Sequence, residues 1–222
     1  MKKGWLFEKV IVIIGGTTGL GLDAALRCIE EDAKVVVVGR DPEHTKQASE
    51  LLGPKGWAIS ADATDIGTAE MAISTAIEHF GSFTGLYHVA GGSGRRFGDG
   101  PVHDITEEGW MKTLHWNLDS VMYSNRAAVK YFLKEKKPGV ILNMSSVLGF
   151  SPSPKYFGTH AYAAAKSAVI GFSKSLAAYY APHDIRVNVI APGLVETPMS
   201  QRAFGDQHIM KFISSKQPLN NG

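Results

Sequence analysis

The stretch Val10-Ile11-Val12-Ile13-Ile14-Gly15-Gly16-Thr17-Thr18-Gly19-Leu20-Gly21 decides the fold. Its β-branched apolar run reads as a strand buried on both faces, the pattern of a parallel sheet. Glycines follow at once, and Leu20–Glu31 has helical period, so strand, tight loop and helix come in direct succession. Gly15 is expected to make the turn, Gly19 to let the helix N-terminus approach a pyrophosphate, and Gly21 to bring helix and sheet into close contact. The unpaired N–H groups and positive dipole end of that helix favour an anion. The loop therefore reads as a dinucleotide site, with Gly15, Thr17, Thr18, Gly19 and Leu20 as contacts; a plain structural turn is the alternative. Its spacing is Gly-x-x-x-Gly-x-Gly rather than Gly-x-Gly-x-x-Gly.

Outward from this unit the same alternation repeats. Val35–Val38, Trp57–Ser60, Leu86–Ala90, Val140–Asn143 and Val187–Ile190 read as buried strands. Pro42–Leu52, Thr68–Phe80, Glu107–Lys134 and Ala161–Ala181 read as helices, with Pro42 suited to a first turn and Gly81 to a helix end. Strand–helix alternation predicts an α/β fold, a doubly wound parallel sheet with helices on both faces, in one domain over 1–222. Gly91–Asp104 and Gly149–Thr159 break the rhythm. Both follow strands, so both are expected at the carboxyl edge of the sheet, where open α/β sheets bind ligands.

Composition narrows the function classes. The 222 residues are 44% hydrophobic and 20% charged, which excludes a disordered chain. A formal charge of +2 lacks the basic excess of a nucleic-acid-binding surface. The longest apolar runs are strand-length, far short of the ~20 residues a bilayer needs. Met1-Lys2-Lys3 begins like a signal sequence, but Glu8 and Lys9 interrupt the apolar stretch. The chain is expected to be cytoplasmic and soluble, with no membrane or nucleic-acid partner. Cys28 reads as a small core residue, and the scattered histidines have no metal-ligand spacing.

The second strand ends in Gly39-Arg40-Asp41. An arginine there can bind a 2′-phosphate by charge-assisted hydrogen bonds, which favours NADP(H) over NAD(H). A solvated Arg40, or an Asp41 that reaches the ribose diol, would keep NAD(H) possible. Asp62 follows the third strand, where it would accept a hydrogen bond from adenine or serve as a turn or cap residue, as would Asp65.

Tyr162 and Lys166 are one helical turn apart on one face of Ala161–Ala181. A phenol has a pKa near ~10, and a neighbouring ammonium is expected to bring it toward neutrality and make it a proton donor and acceptor. Ser145 and Ser146 close the strand Val140–Asn143 at the same sheet edge. Asn117 lies mid-helix, where its side chain can disturb the hydrogen-bond ladder. Each feature alone has a bland reading: a surface contact, turn serines, an exposed asparagine.

Together, and in order, these residues resemble the short-chain dehydrogenase/reductase family in its compact single-domain branch. The motifs are the glycine loop at 15, 19 and 21, Asn117, Asn143-Met144-Ser145-Ser146, Tyr162-Ala163-Ala164-Ala165-Lys166, and Arg186-Val187-Asn188-Val189-Ile190-Ala191-Pro192-Gly193 followed by Thr197. The resemblance runs from Lys9 to about Leu219 and implies a Rossmann-type version of the doubly wound sheet. It implies an NAD(P)-dependent oxidoreductase acting on a secondary alcohol or its ketone. Tyr162 would be the general acid/base, Lys166 would lower its pKa and hold the nicotinamide ribose, Ser146 would bond the substrate oxygen, and Asn117 would hold a water behind Lys166. Asp62 and Ala63 would flank the adenine. Ala90 and Gly91 would border the cofactor, with Pro192, Gly193, Val195 and Thr197 beside the nicotinamide. Residues 194–213 would form a substrate lid, and the helices Glu107–Lys134 and Ala161–Ala181 would pair subunits in a homodimer or homotetramer.

Several positions depart from the family pattern. Ile14 replaces a threonine, and His88-Val89-Ala90-Gly91 replaces Asn-Asn-Ala-Gly, so His88 is expected to be a satisfied buried histidine. Ser146 and Tyr162 are 16 residues apart, longer than usual, so Ser151–Thr159 is expected to shape the substrate pocket. Family members usually continue beyond Gln217-Pro218-Leu219 with a helix and a final strand, so the sheet is expected to lack its usual last strand. Phe150, Tyr156, Phe157, Met199 and Phe204 suggest an apolar pocket side. Arg95 and Arg96 would meet a substrate carboxylate or simply lie on the surface. A catalytically idle dinucleotide sensor of the same fold is the main rival reading. A sugar-nucleotide epimerase is a third, but its Gly-x-x-Gly-x-x-Gly loop is absent.

Overall fold

The computed structural model describes residues 3–153 and 155–217. Met1, Lys2, Pro154 and the Pro218-Leu219 end of the resemblance lie outside the described residues. The strands are β1 Val10–Ile14, β2 Lys34–Gly39, β3 Gly56–Ser60, β4 Gly85–His88, β5 Gly139–Met144 and β6 Ile185–Ile190. The helices are α1 Gly19–Glu30, α2 Pro42–Leu52, α3 Thr68–Phe80, α4 Glu107–Leu114, α5 Ser120–Glu135, α6 His160–Tyr180, α7 Gln201–Phe204 and α8 Gln207–Lys216. All strands are parallel, in the order β3-β2-β1-β4-β5-β6. The order reverses between β1 and β4, which opens a crevice at their carboxyl ends.

The β-branched runs bury both faces because successive side chains alternate across the sheet. Val12, Ile14, Val36 and Val38 pack toward α3 and α5, against Ala72, Ile73, Ala128 and Phe132. Ile13, Val35 and Val37 pack the other way, against Ala25, Ala48 and Leu52 of α1 and α2. Among the described residues β6 ends the sheet, and no helix is long and apolar enough to cross a membrane.

Two expected elements need correction. The helix expected over Glu107–Lys134 is interrupted by a π-helical turn, His115–Asp119. There Asn117 Nδ2 donates to the Thr113 carbonyl and Ser120 Oγ to the Trp116 carbonyl, so side chains claim acceptors of the helix ladder. The strand expected to reach Ala90 stops at His88, because the N–H groups of Val89 and Ala90 both turn onto the Ile14 carbonyl.

Candidate active site

A groove of about 350 Å³ opens at the switch point. Its first wall is the glycine loop: Gly15, Thr17, Thr18, Gly19 and Leu20 all line it. Gly15 and Gly19 hold φ of 87° and 51°, a region that favours glycine. A Cβ on Gly15 would stand 2.5 Å from the Ala90 nitrogen, and one on Gly21 2.0 Å from the Gly15 carbonyl oxygen. Loop, β4 end and α1 therefore close on one another only through bare backbone. The N–H groups of Gly15 and Gly16 donate to the Val38 carbonyl, which secures the loop although Ile14 has no hydroxyl. Thr18 precedes α1 without a side-chain cap, so the first-turn donors keep their affinity for an anion. This cradle fits the pyrophosphate of a nicotinamide dinucleotide.

The β2 tip forms the next wall. A Cβ on Gly39 would fall 1.9 Å from Thr17 Oγ1, so the tip itself carries no side chain. Arg40 lines the groove and pairs with Asp62 Oδ2 at 3.6 Å. Asp41 is committed elsewhere: its carboxylate accepts from the N–H groups of Glu43 and His44 at 2.9 and 3.0 Å and caps α2. The reading in which Asp41 reaches a ribose diol thus competes with a helix cap. Asp62 stands just behind the lining residues Ala61 and Ala63, as a turn residue whose Oδ1 accepts from both Thr64 N and Thr64 Oγ1.

Ser146, Tyr162 and Lys166 converge at the other end, with Ala90, Gly91, Pro192, Gly193, Val195 and Thr197 along the same groove. Burial is the larger effect on the Tyr162 phenol and leaves its pKa above the ordinary value, although the nearby Ser146 hydroxyl pulls it down. Lys166 is wholly buried, and burial lowers it to about 8. Its ammonium donates to the Met144 carbonyl at 3.0 Å and sits 5.6 Å from the Tyr162 ring centre. The expected lowering of the phenol by Lys166 is therefore not what this arrangement shows; the ammonium points at a backbone acceptor, and desolvation dominates. Asn117 does not line the groove. It lies fully buried behind it, exchanging hydrogen bonds with the backbone N–H and C=O of Gly92 at 2.9 Å each. Gly91 separates it from Lys166: a Cβ there would stand 2.6 Å from Asn117 Oδ1 and 3.3 Å from Lys166 Nζ.

The profile of the short chain dehydrogenases matches residues 9–208. The chain belongs to this family. The human protein "Dehydrogenase/reductase SDR family member 4" is 33% identical over 217 residues, covering 96% of this chain and 75% of that one. The NADP-dependent (R)-specific alcohol dehydrogenase of Lentilactobacillus kefiri is 34% identical, covering 96% and 83%. Among solved structures, gox2181 superposes with a TM-score of 0.87 at 26% identity, over 95% of this chain and 81% of that one. The 3-ketoacyl-(acyl-carrier-protein) reductase of Brucella melitensis, solved with NADH, gives 0.80 at 27% identity, over 88% and 80%.

This short-chain dehydrogenase braces its site with buried polar residues, of which the sequence did not single out Asp99, Asn125, Ser124 and Ser173. Asp99, buried, accepts from the backbone N–H of Ala161 at 2.9 Å and of Tyr162 at 3.0 Å, so a carboxylate from the Gly91–Asp104 loop caps α6. Asn143 and Asn125 exchange amide hydrogen bonds at 2.8 and 2.9 Å, and Asn143 also donates to Ser173 Oγ, tying β5 to α5 and α6. His88 is wholly buried, with Nδ1 bonded to Ser124 Oγ at 2.7 Å and Nε2 3.2 Å from the Ala90 carbonyl oxygen. Burial, and secondarily the Lys166 charge, lowers it to about 3, so it is the neutral, satisfied histidine expected.

Trp116 was also missed. Its ring lies 4.9 Å from the Arg40 guanidinium and 5.0 Å from that of Arg96, on the wall of the groove. Its place beside Asn117 was the available signal. Phe150 is corrected as a pocket residue: it is 64% exposed and does not line the groove, whereas Met199 does.

Proposed function

We propose that this dehydrogenase interconverts a secondary alcohol and its ketone with a nicotinamide cofactor, Tyr162 acting as general acid/base. The observation that carries this reading is the convergence of a half-buried Tyr162, Ser146 and a buried Lys166 on the groove that begins at the glycine loop. A catalytically idle dinucleotide binder has no need for all three.

A nicotinamide dinucleotide held by this groove would supply or accept the hydride at the carbon that bears the oxygen. Tyr162 gives its proton to that oxygen in reduction and takes it back in oxidation. Its raised pKa keeps the phenol protonated at neutral pH, which suits the donor role. Ser146 donates a hydrogen bond to the same oxygen and stabilises developing charge. Lys166, titrating near 8, holds the ribose and replaces the proton that Tyr162 loses. Asn117 anchors Gly92 and so fixes the wall on which Lys166 rests, the place for a relay water. Arg40 beside a bare Gly39 tip favours NADP(H), and the NADP dependence named for the Lentilactobacillus relative supports that preference. Residues 194–213 act as a lid: Pro198–Ser200 forms a short turn capped by Thr197, and α7 and α8 follow. Exposed Met111 and Trp110 on α4 are consistent with a homodimer or homotetramer.

Titration of the wild type and Tyr162→Phe with NADPH and NADH, followed by nicotinamide fluorescence, tests the reading alongside a ketone panel. Turnover is expected to fall by about 10²–10⁴-fold in the variant, with dinucleotide affinity within about twofold. Equal turnover by the two proteins would sink the mechanism.

A further inference from the structure

Two guanidiniums meet at one neutral acceptor beside the catalytic helix. Arg95 Nη2 donates to the Tyr156 carbonyl at 2.9 Å, and Arg202 Nη2 reaches the same oxygen at 3.4 Å. They arrive from opposite sides: Arg95 from the loop that follows Gly91 and Gly92, Arg202 from α7, directly after the groove-lining segment Thr197–Ser200. Tyr156 belongs to the loop that leads into α6, six residues before Tyr162. Phe212 of α8 packs edge-on against the Tyr156 ring at 5.4 Å, and the Arg202 guanidinium lies 5.8 Å from the Phe157 ring. Both guanidiniums are exposed and neither lines the groove, but each lies within a few residues of segments that do: Gly91 and Gly92 before Arg95, Met199 and Ser200 before Arg202.

Among the described residues neither arginine forms an ion pair with a carboxylate. The nearest acid by charge is Asp99, and both its oxygens are taken up by the backbone of Ala161 and Tyr162. Partial burial and the charge of Arg202 both depress the Arg95 pKa, and the charge of Asp99 opposes them. Arg96 is not part of the junction, since its guanidinium stacks on Trp116 and Phe97. Two like charges around a single carbonyl repel each other, and an oxyanion between them reverses the sign of that energy. Guanidiniums bind oxyanions through several parallel N–H donors, most of which one carbonyl leaves unused.

We propose that Arg95 and Arg202 form a subsite for an oxyanion carried by the substrate, so that this dehydrogenase prefers ketones and alcohols bearing a carboxylate, phosphate or sulfonate. The proposal rests on the alcohol–ketone reading above and names the substrate class.

The test compares 4-oxopentanoate with its uncharged methyl ester. In the wild type kcat/KM is expected to favour the acid by at least about tenfold. Arg95→Gln and Arg202→Gln should each cut that ratio by about tenfold, the scale of one charge-assisted hydrogen bond. Arg202→Lys, which keeps the charge, should retain most of it. A second readout needs no turnover: 4-oxopentanoate should raise the melting temperature of the wild type and of Arg202→Lys, but not of the doubly substituted Arg95→Gln/Arg202→Gln protein. If neither ketone is reduced yet this variant-dependent stabilisation appears, the anion subsite stands and the alcohol–ketone reading is what fails for these compounds. An acid-to-ester ratio near one, or one unmoved by either glutamine substitution, overturns the subsite. Stabilisation that survives in the doubly substituted protein overturns it too.

Discussion

On the β3-β2-β1 side, the groove is shaped by what residues lack. Gly15, Gly21 and Gly39 leave room for backbone and for Thr17, and the loop is tied by main-chain bonds to Val38. On the β4-β5-β6 side it is shaped by what residues reach. Asp99 holds the start of α6, Asn117 holds Gly92, Asn143 holds α5 and α6, and Ser145 Oγ donates to the Lys166 carbonyl at 2.7 Å. On the proposed reading the first half binds through a fixed backbone surface, so its sequence tolerates few added atoms. The second half would orient protons, and that asks for buried side chains with hydrogen-bond partners in a low-dielectric interior. The difference teaches where each kind of substitution will act: added atoms on the first side strike binding, removed atoms on the second strike chemistry.

The sharpest break is Gly21→Ala. The new methyl would lie 2.0 Å from the Gly15 carbonyl oxygen, and both neighbours are backbone, so the loop itself must move. Dinucleotide affinity is expected to fall at least about a hundredfold in a fluorescence titration, equivalent to about 3 kcal/mol. Unchanged affinity would mean that the loop is a structural turn and not the cradle.

The matching break on the other side is Asp99→Ala. It strands the backbone N–H groups of Ala161 and Tyr162, and loss of a helix cap costs about 1–2 kcal/mol. With the start of α6 loosened, kcat is expected to drop about tenfold while dinucleotide affinity stays within about twofold. Asp99→Asn, which keeps one acceptor, should recover part of the loss. A fall in affinity equal to the fall in kcat would show that the two halves are not separable in this way.

The asymmetry also explains what could be read from the sequence. β-branched runs and glycine spacings are local, so the strands, the glycine loop and the helices between strands were visible in consecutive residues, whereas α7 and α8 were not read as helices. Tyr162, Lys166 and Ser146 were visible as a pattern, but their electrostatics were not. The expectation that Lys166 lowers the Tyr162 pKa omitted burial, which is a property of the packed molecule. Asp99 and its partners lie 62 and 63 residues apart, and Asn143 and Ser173 30 apart, so no window of sequence joins them. The π turn was half visible: Asn117 signalled a disturbed helix, but only the Thr113 and Trp116 carbonyls show where the ladder gives way.

Arg40→Gln sharpens the comparison, because Arg40 is the one charged side chain that the cradle half is proposed to use on its ligand. The preference for NADPH over NADH is expected to fall about tenfold, the worth of a charge-assisted hydrogen bond. NADH affinity should hold within about twofold. Equal losses for both dinucleotides would assign Arg40 to packing against Trp116 and pairing with Asp62.

The smallest effect is one of pH, and it isolates the buried lysine. Burial lowers Lys166 to about 8, against an ordinary value of 10.5. The folded protein therefore gives up this proton at a lower pH than the unfolded chain does. Between those two values the unfolded state binds more protons, so stability gains from Lys166 as pH rises. The cost of burying the charge is present in full below about 8 and is relieved above that window. Tyr162 works in the opposite sense. Burial raises its pKa, so the folded state keeps the proton longer and loses stability, but only above pH 10, where an unfolded tyrosine begins to ionise. Burial also raises the Cys28 thiol above its ordinary 9.0, which costs stability above that pH, but the cost is common to wild type and a Lys166 variant and drops out of their difference. Urea unfolding of the wild type and Lys166→Met at pH 7.5, 8.5 and 9.5 measures it. The wild type should gain roughly 1 kcal/mol on the variant between pH 8.5 and 9.5, within the limit of about 1.4 kcal/mol per pH unit for a single proton. A difference that stays flat with pH would mean that the Met144 carbonyl and the surrounding dipoles solvate the ammonium as well as water does, and the catalytic half would then hold its charge at no cost to the fold.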